Sequence, residues 1–312
     1  MNEPGVGIVV RTKDRPDFLK RALQSVTSQT YGSWTAVIVN DGGDAAVADR
    51  IVAELPEADR ARIVTVHHDS PRGRWQSANA GVLATSTPLL VLHDDDDTWH
   101  STFLERAVTY LEANPTRNGV VSRIEIVWER RGDVGFEVVS REQFQADSTD
   151  PLLSDQLLFN RFVPIGFLYR RRLHEELGLY DESLPVVGDW AFSLRVLTKA
   201  PLEYLADEPL VRWHQRVDPQ GADGNSVRGA SDDHRRYDAR VRDEALREYV
   251  DLHGAGLPLY LTKYIDQRLR HTEDTLRESI QVSLRREFRA TTEGRFRNAL
   301  GGLYRRLKRG RG

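Results

Sequence analysis

The 312-residue chain has no cysteine, which removes disulfide staples, thiolate nucleophiles and cysteine-bound zinc from consideration. That absence fits a reducing, cytoplasmic setting. No apolar run approaches the roughly 18 residues that span a bilayer, and the N-terminus lacks the charged start, apolar core and small-residue cleavage site of a secretory signal. The expectation is a soluble or peripheral protein. Charge of one sign is also lacking: the net value is -3, so no global field points to nucleic acid as a partner. There is no internal repeat, and the arginine-rich C-terminus is the one biased segment.

What is there begins with rhythm. From Gly7 to about His93, short apolar runs alternate with helical periodicity, the signature of βαβ units and a parallel sheet. Strands are predicted at Gly7–Arg11, Trp34–Val39, Arg62–His67 and Pro88–His93. Between the first two, Pro16 suits a first helical turn, and Phe18, Leu19, Ala22, Leu23 and Val26 supply one apolar face. Further helices are expected at Ala45–Leu55 and Trp75–Ala84. Beyond Leu111 the rhythm changes to strand-like Val120–Trp128, Phe136–Val139 and Phe167–Arg170, a helical Asp189–Lys199 and a strand-like Leu210–His214.

Chemistry concentrates where predicted strands end. The fourth delivers Asp94-Asp95-Asp96-Asp97, four adjacent carboxylates that repel one another unless cations or water neutralise them. Alternation along a strand puts Asp94 and Asp96 on one side, and hard oxygen donors of this kind suit Mg²⁺ or Mn²⁺ beside a diphosphate. A solvated turn capping the helix near Ser101 is the competing explanation. The first strand ends in Arg11-Thr12-Lys13-Asp14-Arg15-Pro16, and the second in Asn40-Asp41-Gly42-Gly43. In open α/β sheets, ligands bind at these carboxyl ends. A carboxylate such as Asp41 can accept the N3–H of a pyrimidine, and the glycines let backbone approach a flat ring.

Read in order, Gly7–Pro16, Leu23–Thr30, Val37–Gly43, Asn79-Ala80-Gly81, Asp94–Asp97 with Trp99, and Gly188-Asp189-Trp190 resemble family 2 glycosyltransferases of the GT-A fold over roughly the first 215 residues. The resemblance implies a mostly parallel, Rossmann-like α/β sheet with flanking helices. It places a transferase domain at 1–225, its nucleotide-sugar half about 1–110 and its acceptor half about 111–225, followed by a helical region at 226–312. It also implies roles. Arg11, Thr12 and Asp41 would line the base pocket, Asp94 would face the ribose with Asp95 beside it, and Asp96 would bind Mn²⁺ or Mg²⁺. Arg72 or Arg74, preceding Asn79, would reach base or phosphates, and Asn79 would belong to the same nucleotide-sugar set. Asp189 would be the general base, and His214 resembles a late histidine that joins the metal in some members. The activity implied is inverting transfer of one sugar from a nucleotide donor, UDP- or dTDP-linked, to a hydroxyl of a glycan, a lipid-linked glycan or a small acceptor. Members often carry an acidic residue before the base and another two after it, where this chain has Gly188 and Ala191.

Two other enzyme classes use similar motifs. Asp94-x-Asp96-x-Thr98 also fits a haloacid-dehalogenase-like phosphohydrolase, but the cluster follows the fourth predicted strand, and no second aspartate follows Gly188-Asp189 at the required spacing. A sugar nucleotidylyltransferase needs a glycine-rich loop after the first strand, where Thr12–Pro16 stands instead. Toward the C-terminus, Leu261, Ile265, Leu269, Leu276, Ile280 and Leu284 form a helical stripe, expected to bury against the domain or against a second copy in a homodimer. Between Phe288 and Arg309 aromatic and leucine residues interleave with arginines, as in a helix lying on anionic membrane. The loop from Val217 to Ser231 and the Pro164-Ile165-Gly166 segment are the expected selectors of the acceptor.

Overall fold

A computed structural model describes residues 5–132, 135–217 and 231–309, with the side chains of 231 and 288–309 outside that description. The first half follows the alternation in the sequence. In chain order come β1 (Val6–Thr12), α1 (Pro16–Thr27), β2 (Trp34–Asn40), α2 (Ala45–Ala53), α3 (Glu57–Arg60), β3 (Ile63–His67), α4 (Arg74–Leu83) and β4 (Leu89–Asp94). The strand β1 is buried along almost its whole length because helices cover both faces of a parallel sheet, which is why it reads as a continuous apolar run. Proline opens α1 where its missing N–H costs nothing, and Phe18, Leu19, Ala22, Leu23 and Val26 are all buried.

Next come β5 (Thr98–Trp99), α5 (Phe103–Ala113), β6 (Gly119–Val121), β7 (Ile124–Arg131), β8 (Phe136–Phe144), α6 (Leu153–Gln156), β9 (Phe167–Arg170), α7 (Arg172–Leu177), α8 (Gly188–Lys199) and β10 (Val211–Arg216). A six-stranded sheet runs β3-β2-β1-β4-β9-β6, and a four-stranded sheet runs β5-β10-β7-β8. The expected single strand from Val120 to Trp128 is in fact two, one in each sheet. The corner is Ser122, whose N–H donates to Gly166 O at 2.8 Å while its hydroxyl donates to Arg123 O at 2.8 Å. These bonds satisfy the backbone where ladder pairing stops.

Sheet order reverses between β1 and β4, and such a switch point opens a crevice at the carboxyl ends of the strands. Register aligns those ends. Arg11 pairs with Asp94, and Thr12 pairs with Asn40, one residue before Asp41.

By compactness the chain divides into Met1–Val241 and Arg242–Gly312. The first unit extends past residue 225 because Tyr237 and Val241, on the helix Ser231–His253, pack against its core. The second unit holds the whole of a long helix, Gly256–Arg309. Within it Leu261, Ile265, Leu269, Leu276, Ile280 and Leu284 are exposed, so the expected burial of this stripe is not supplied inside that unit. Most of the Val217–Ser231 loop and the side chains from Phe288 onward lie outside the described residues.

Candidate active site

The strand ends enclose a cavity of about 510 Å³ lined by Arg11, Thr12, Arg15, Asp41, Arg72, Arg74, Trp75, Asp94, Asp95 and Asp96, among others. A second cavity of about 90 Å³ shares Arg11, Arg74, Trp75, Asp94 and Asp96 with it and adds Asp97, Asp189 and Trp213. The two spaces are therefore neighbours across one wall. Val163 and Pro164 line the smaller one, so the Pro164–Gly166 turn stands at the site as its sequence suggested.

The four aspartates have four different environments. Asp94 ion-pairs with Arg11 at the end of β4. Asp95 accepts from Thr12 Oγ1 at 2.8 Å and from Arg15 at 2.8 Å, yet burial and the neighbouring Asp96 keep its pKa above the ordinary value. Burial also opposes ionisation of Asp96, but Arg15 at 2.9 Å and Arg216 outweigh it and hold this carboxyl well below the usual range. Asp97 accepts the His214 N–H at 2.8 Å, and burial beside two carboxylates raises it well above normal. Asp94, Asp95 and Asp96 thus line the cavity with guanidinium partners, while the direct partner of Asp97 is a backbone N–H.

Beneath this cluster lies a network the sequence did not reveal. Arg21 donates twice to Glu129 at 2.9 and 3.0 Å, and its second terminal nitrogen reaches the Asp96 backbone carbonyl. His214 Nδ1 meets Glu129 at 2.9 Å, and its Nε2 meets Thr98 Oγ1 at 2.9 Å. Both ring nitrogens are engaged. In this arrangement His214 braces the cluster through Glu129 and Thr98. Among the described residues no group of three or more histidine, cysteine or acidic side chains is arranged around a metal position. A Mg²⁺ or Mn²⁺ ion carrying a diphosphate needs only one or two carboxylates, and Asp94 with Asp96 offers that hard oxygen set.

Asp41 lines the larger cavity, but its carboxylate is occupied. It accepts from His68 Nδ1 at 3.0 Å, from Arg72 N–H at 2.8 Å and from Gly73 N–H at 3.0 Å. Burial opposes its charge, and these bonds more than offset the penalty, leaving its pKa lowered. Asp41 therefore clamps the Arg72–Gly73 turn before any contact with a base. Gly42 makes the approach possible: its φ is +74°, and a Cβ there would stand 2.4 Å from Pro71 N. Asn79 is absent from the lining of both cavities. It is 3% exposed and spends its amide on Tyr180 N–H at 3.0 Å, Tyr180 O at 2.9 Å and Glu182 at 2.9 Å. It shapes the far wall and does not reach the cavity.

Asp189 sits in the first turn of α8, where the helix dipole favours a carboxylate. Burial nonetheless raises its pKa against the opposing pull of the Trp190 N–H, Arg74 and Arg11. A carboxylate shifted this way is a stronger base than an exposed one. The approach to it is tight: Val187 has φ +57°, a costly conformation for a β-branched residue, and a Cβ on Gly188 would lie 2.6 Å from the Trp75 ring.

The model of Glycosyl transferase family 2 matches residues 7–178, more than half of the chain. The chain belongs to glycosyl transferase family 2. Among family relatives, an uncharacterized glycosyltransferase, YwdF, of Bacillus subtilis is 33% identical over 192 residues, covering 61% of this chain and 67% of that protein. A PGL/p-HBAD biosynthesis glycosyltransferase of Mycobacterium bovis is 28% identical over 205 residues, or 65% and 73% of the two chains. The TarS 1-349 structure from S. aureus in complex with UDP superposes with a TM-score of 0.52 at 14% identity, covering 68% of this chain. A mannosyltransferase from Pyrobaculum calidifontis in complex with GDP-Man and Mn2+ gives 0.50 at 16% identity over 71% of this chain. This chain spans 60% and 59% of those two solved chains. The family 2 fold, with its GT-A sheet and C-terminal helices, is the fold expected from the sequence, and the phosphohydrolase and nucleotidylyltransferase readings fall with it.

Proposed function

We propose that this family 2 glycosyltransferase moves a single sugar, with inversion, from a nucleoside-diphosphate donor, UDP- or dTDP-linked, to a hydroxyl of a glycan, a lipid-linked glycan or a small acceptor. One observation carries the reading: the wall shared by the two cavities, Arg11, Arg74, Asp94 and Asp96, stands between the strand-end cleft and Asp189. The larger cavity suits a nucleoside diphosphate, with Arg11, Thr12, Asp41, Arg72, Arg74, Asp94 and Asp95 as its contacts. Asp94 and Asp96 would hold Mn²⁺ or Mg²⁺, which when bound offsets charge on the departing diphosphate. Asp189 takes the acceptor's hydroxyl proton as that oxygen bonds the anomeric carbon and the bond to the diphosphate breaks. Structural neighbours solved in complex with UDP, UDP-GlcNAc or GDP-Man support a nucleotide-sugar donor.

The test is Asp189→Asn. Nucleoside-diphosphate affinity, read by calorimetry across UDP, dTDP, GDP and CMP with and without Mn²⁺, is expected to persist. Turnover, read as nucleoside diphosphate release, is expected to fall by about 10²–10⁴-fold, the usual contribution of a positioned base. Full turnover in that variant would remove the assignment.

No helix among the described residues is long and apolar enough to cross a membrane. The arginine-rich sequence after Leu284 is proposed to hold the enzyme at the anionic inner face of the cell membrane, near a lipid-linked acceptor. Deleting Phe288–Gly312 is expected to abolish flotation with anionic liposomes, and unchanged flotation would reject the contact. The exposed Leu261–Leu284 stripe is the proposed surface for a homodimer.

A further inference from the structure

The proposed base has a neighbour of known direction. Asn160 Nδ2 donates to Asp189 Oδ2 at 2.8 Å, Gln156 Nε2 donates to Asn160 Oδ1 at 2.8 Å, and the Arg161 N–H donates to Gln156 Oε1 at 2.9 Å. An amide side chain can turn end for end, so one bond alone does not say which atom faces the carboxylate. Here the far end is a backbone N–H, which can only donate. Gln156 must answer with oxygen, its nitrogen must then meet Asn160 oxygen, and Asn160 must present N–H to Asp189. Gln156 is fully buried, and its own backbone carbonyl receives Trp190 Nε1 at 2.6 Å, one residue beyond Asp189. The relay is therefore anchored on both α6 and α8.

We infer that Asn160 is a positioning residue for Asp189, its amide orientation fixed by Gln156, and that it directs one carboxylate oxygen so that the other is left for the acceptor hydroxyl. The inference rests on the proposed role of Asp189 as base. A hydrogen bond to the charged form favours that form, so the relay also restrains the rise that burial imposes. The other groups facing Asp189 are the Trp190 N–H of α8 itself, Arg74 on α4, Arg11 on β1, Asp94 on β4 and Tyr180, with His234 lining the same small cavity. Among the side chains, Asn160 is the one whose direction is traced back to a backbone N–H.

The experiment uses the full chain labelled with carbon-13 at the aspartate carboxyls, the Asp189 resonance being the one absent from Asp189→Asn. In Asn160→Leu its titration midpoint is expected to rise by about one pH unit, a tenfold change in protonation. Gln156→Met, which leaves Asn160 in place but unlocks its amide, is expected to raise the midpoint by less. Asn160→Asp sets a second carboxylate against the first and is expected to raise it most. Asn160 is only half-buried, and circular dichroism identifies the folded variants. An unmoved midpoint in any folded Asn160 variant overturns the inference, since a merely structural contact would alter melting without shifting the titration. Full turnover in Asp189→Asn would remove the base itself while leaving the measured coupling intact, so the two failures are distinguishable.

Discussion

Gly188→Ala should impair both folding and turnover while sparing nucleotide binding. The added methyl would stand 2.6, 2.7 and 2.9 Å from three atoms of the Trp75 indole. Ordinary carbon contacts are about 3.5–4.0 Å, so something must yield by roughly 1 Å. Trp75 cannot: it is 3% exposed, stacked on Tyr180 at 5.3 Å, with the Arg11 guanidinium 5.1 Å from its ring. The start of α8 must then move, and Asp189 is the next residue. Overpacking of this kind costs about 1–3 kcal/mol. At about 2 kcal/mol, a domain of this size loses roughly 4–8 °C in Tm. A misplacement near 1 Å at a reacting group is worth on the order of 10² in turnover. Differential scanning fluorimetry and nucleoside diphosphate release test the two effects, and calorimetry should show affinity close to that of the parent. A variant with the parental Tm and turnover would show that the ring yields and that the argument from packing is wrong.

Two further outcomes follow from charge. Asp96→Ala removes the carboxylate between Arg15 and Arg216 and leaves Arg216, 2% exposed, with Glu129 at 3.8 Å; losing one member of a buried pair costs about 3–5 kcal/mol, so melting should drop sharply along with Mn²⁺-dependent nucleotide binding. An unchanged melting curve would contradict the pairing. His93 is fully buried against Trp99, and desolvation pushes its pKa from 6.5 down to about 4. Its folded pKa is depressed, so its contribution is fully present above pH 6.5 and is lost as pH falls toward 4. His93→Phe should flatten the fall in urea midpoint across that window, with His174, also held near 4, supplying the slope that remains. An unaltered slope would refute the assignment.

The first half of the fold was legible because its signals are local and periodic. Continuous apolar strands, a proline-opened helix and glycine turns specify β1 to β4, and the carboxyl ends of parallel strands then meet without further information. The second half was less readable: Val120–Trp128 carries one strand-like pattern, but only the tertiary partners of Ser122 reveal the corner between two sheets. Asn79 and His214 belong to residue types that serve both binding and bracing, and pattern alone cannot separate the roles. Arg216 had a signal that went unused, since it stands two residues after His214 on one strand and therefore shares its face. Asn160 and Gln156 had none, because their meaning comes from a neighbour far along the chain.

The acidic run shows why order in sequence and order in space can agree for different reasons. Alternation along a strand was the argument for placing Asp94 and Asp96 together, yet β4 stops at Asp94, and Asp95 and Asp96 lie in a turn closed by the Asp97 N–H donating to Asp94 O at 3.2 Å. A turn brings its ends back to one side, so the two carboxylates share the cavity as a pleat would have arranged them. The turn does something a strand could not. It spreads four carboxyl groups over different sets of partners, Arg11 for Asp94, Arg15 with Thr12 for Asp95, Arg15 with Arg216 for Asp96, and the His214 N–H for Asp97, with Arg15 bridging the middle two. A cluster built this way has its carboxylates at the sheet edge held by protein partners, so a ligand entering the cavity meets guanidinium groups already fixed in direction.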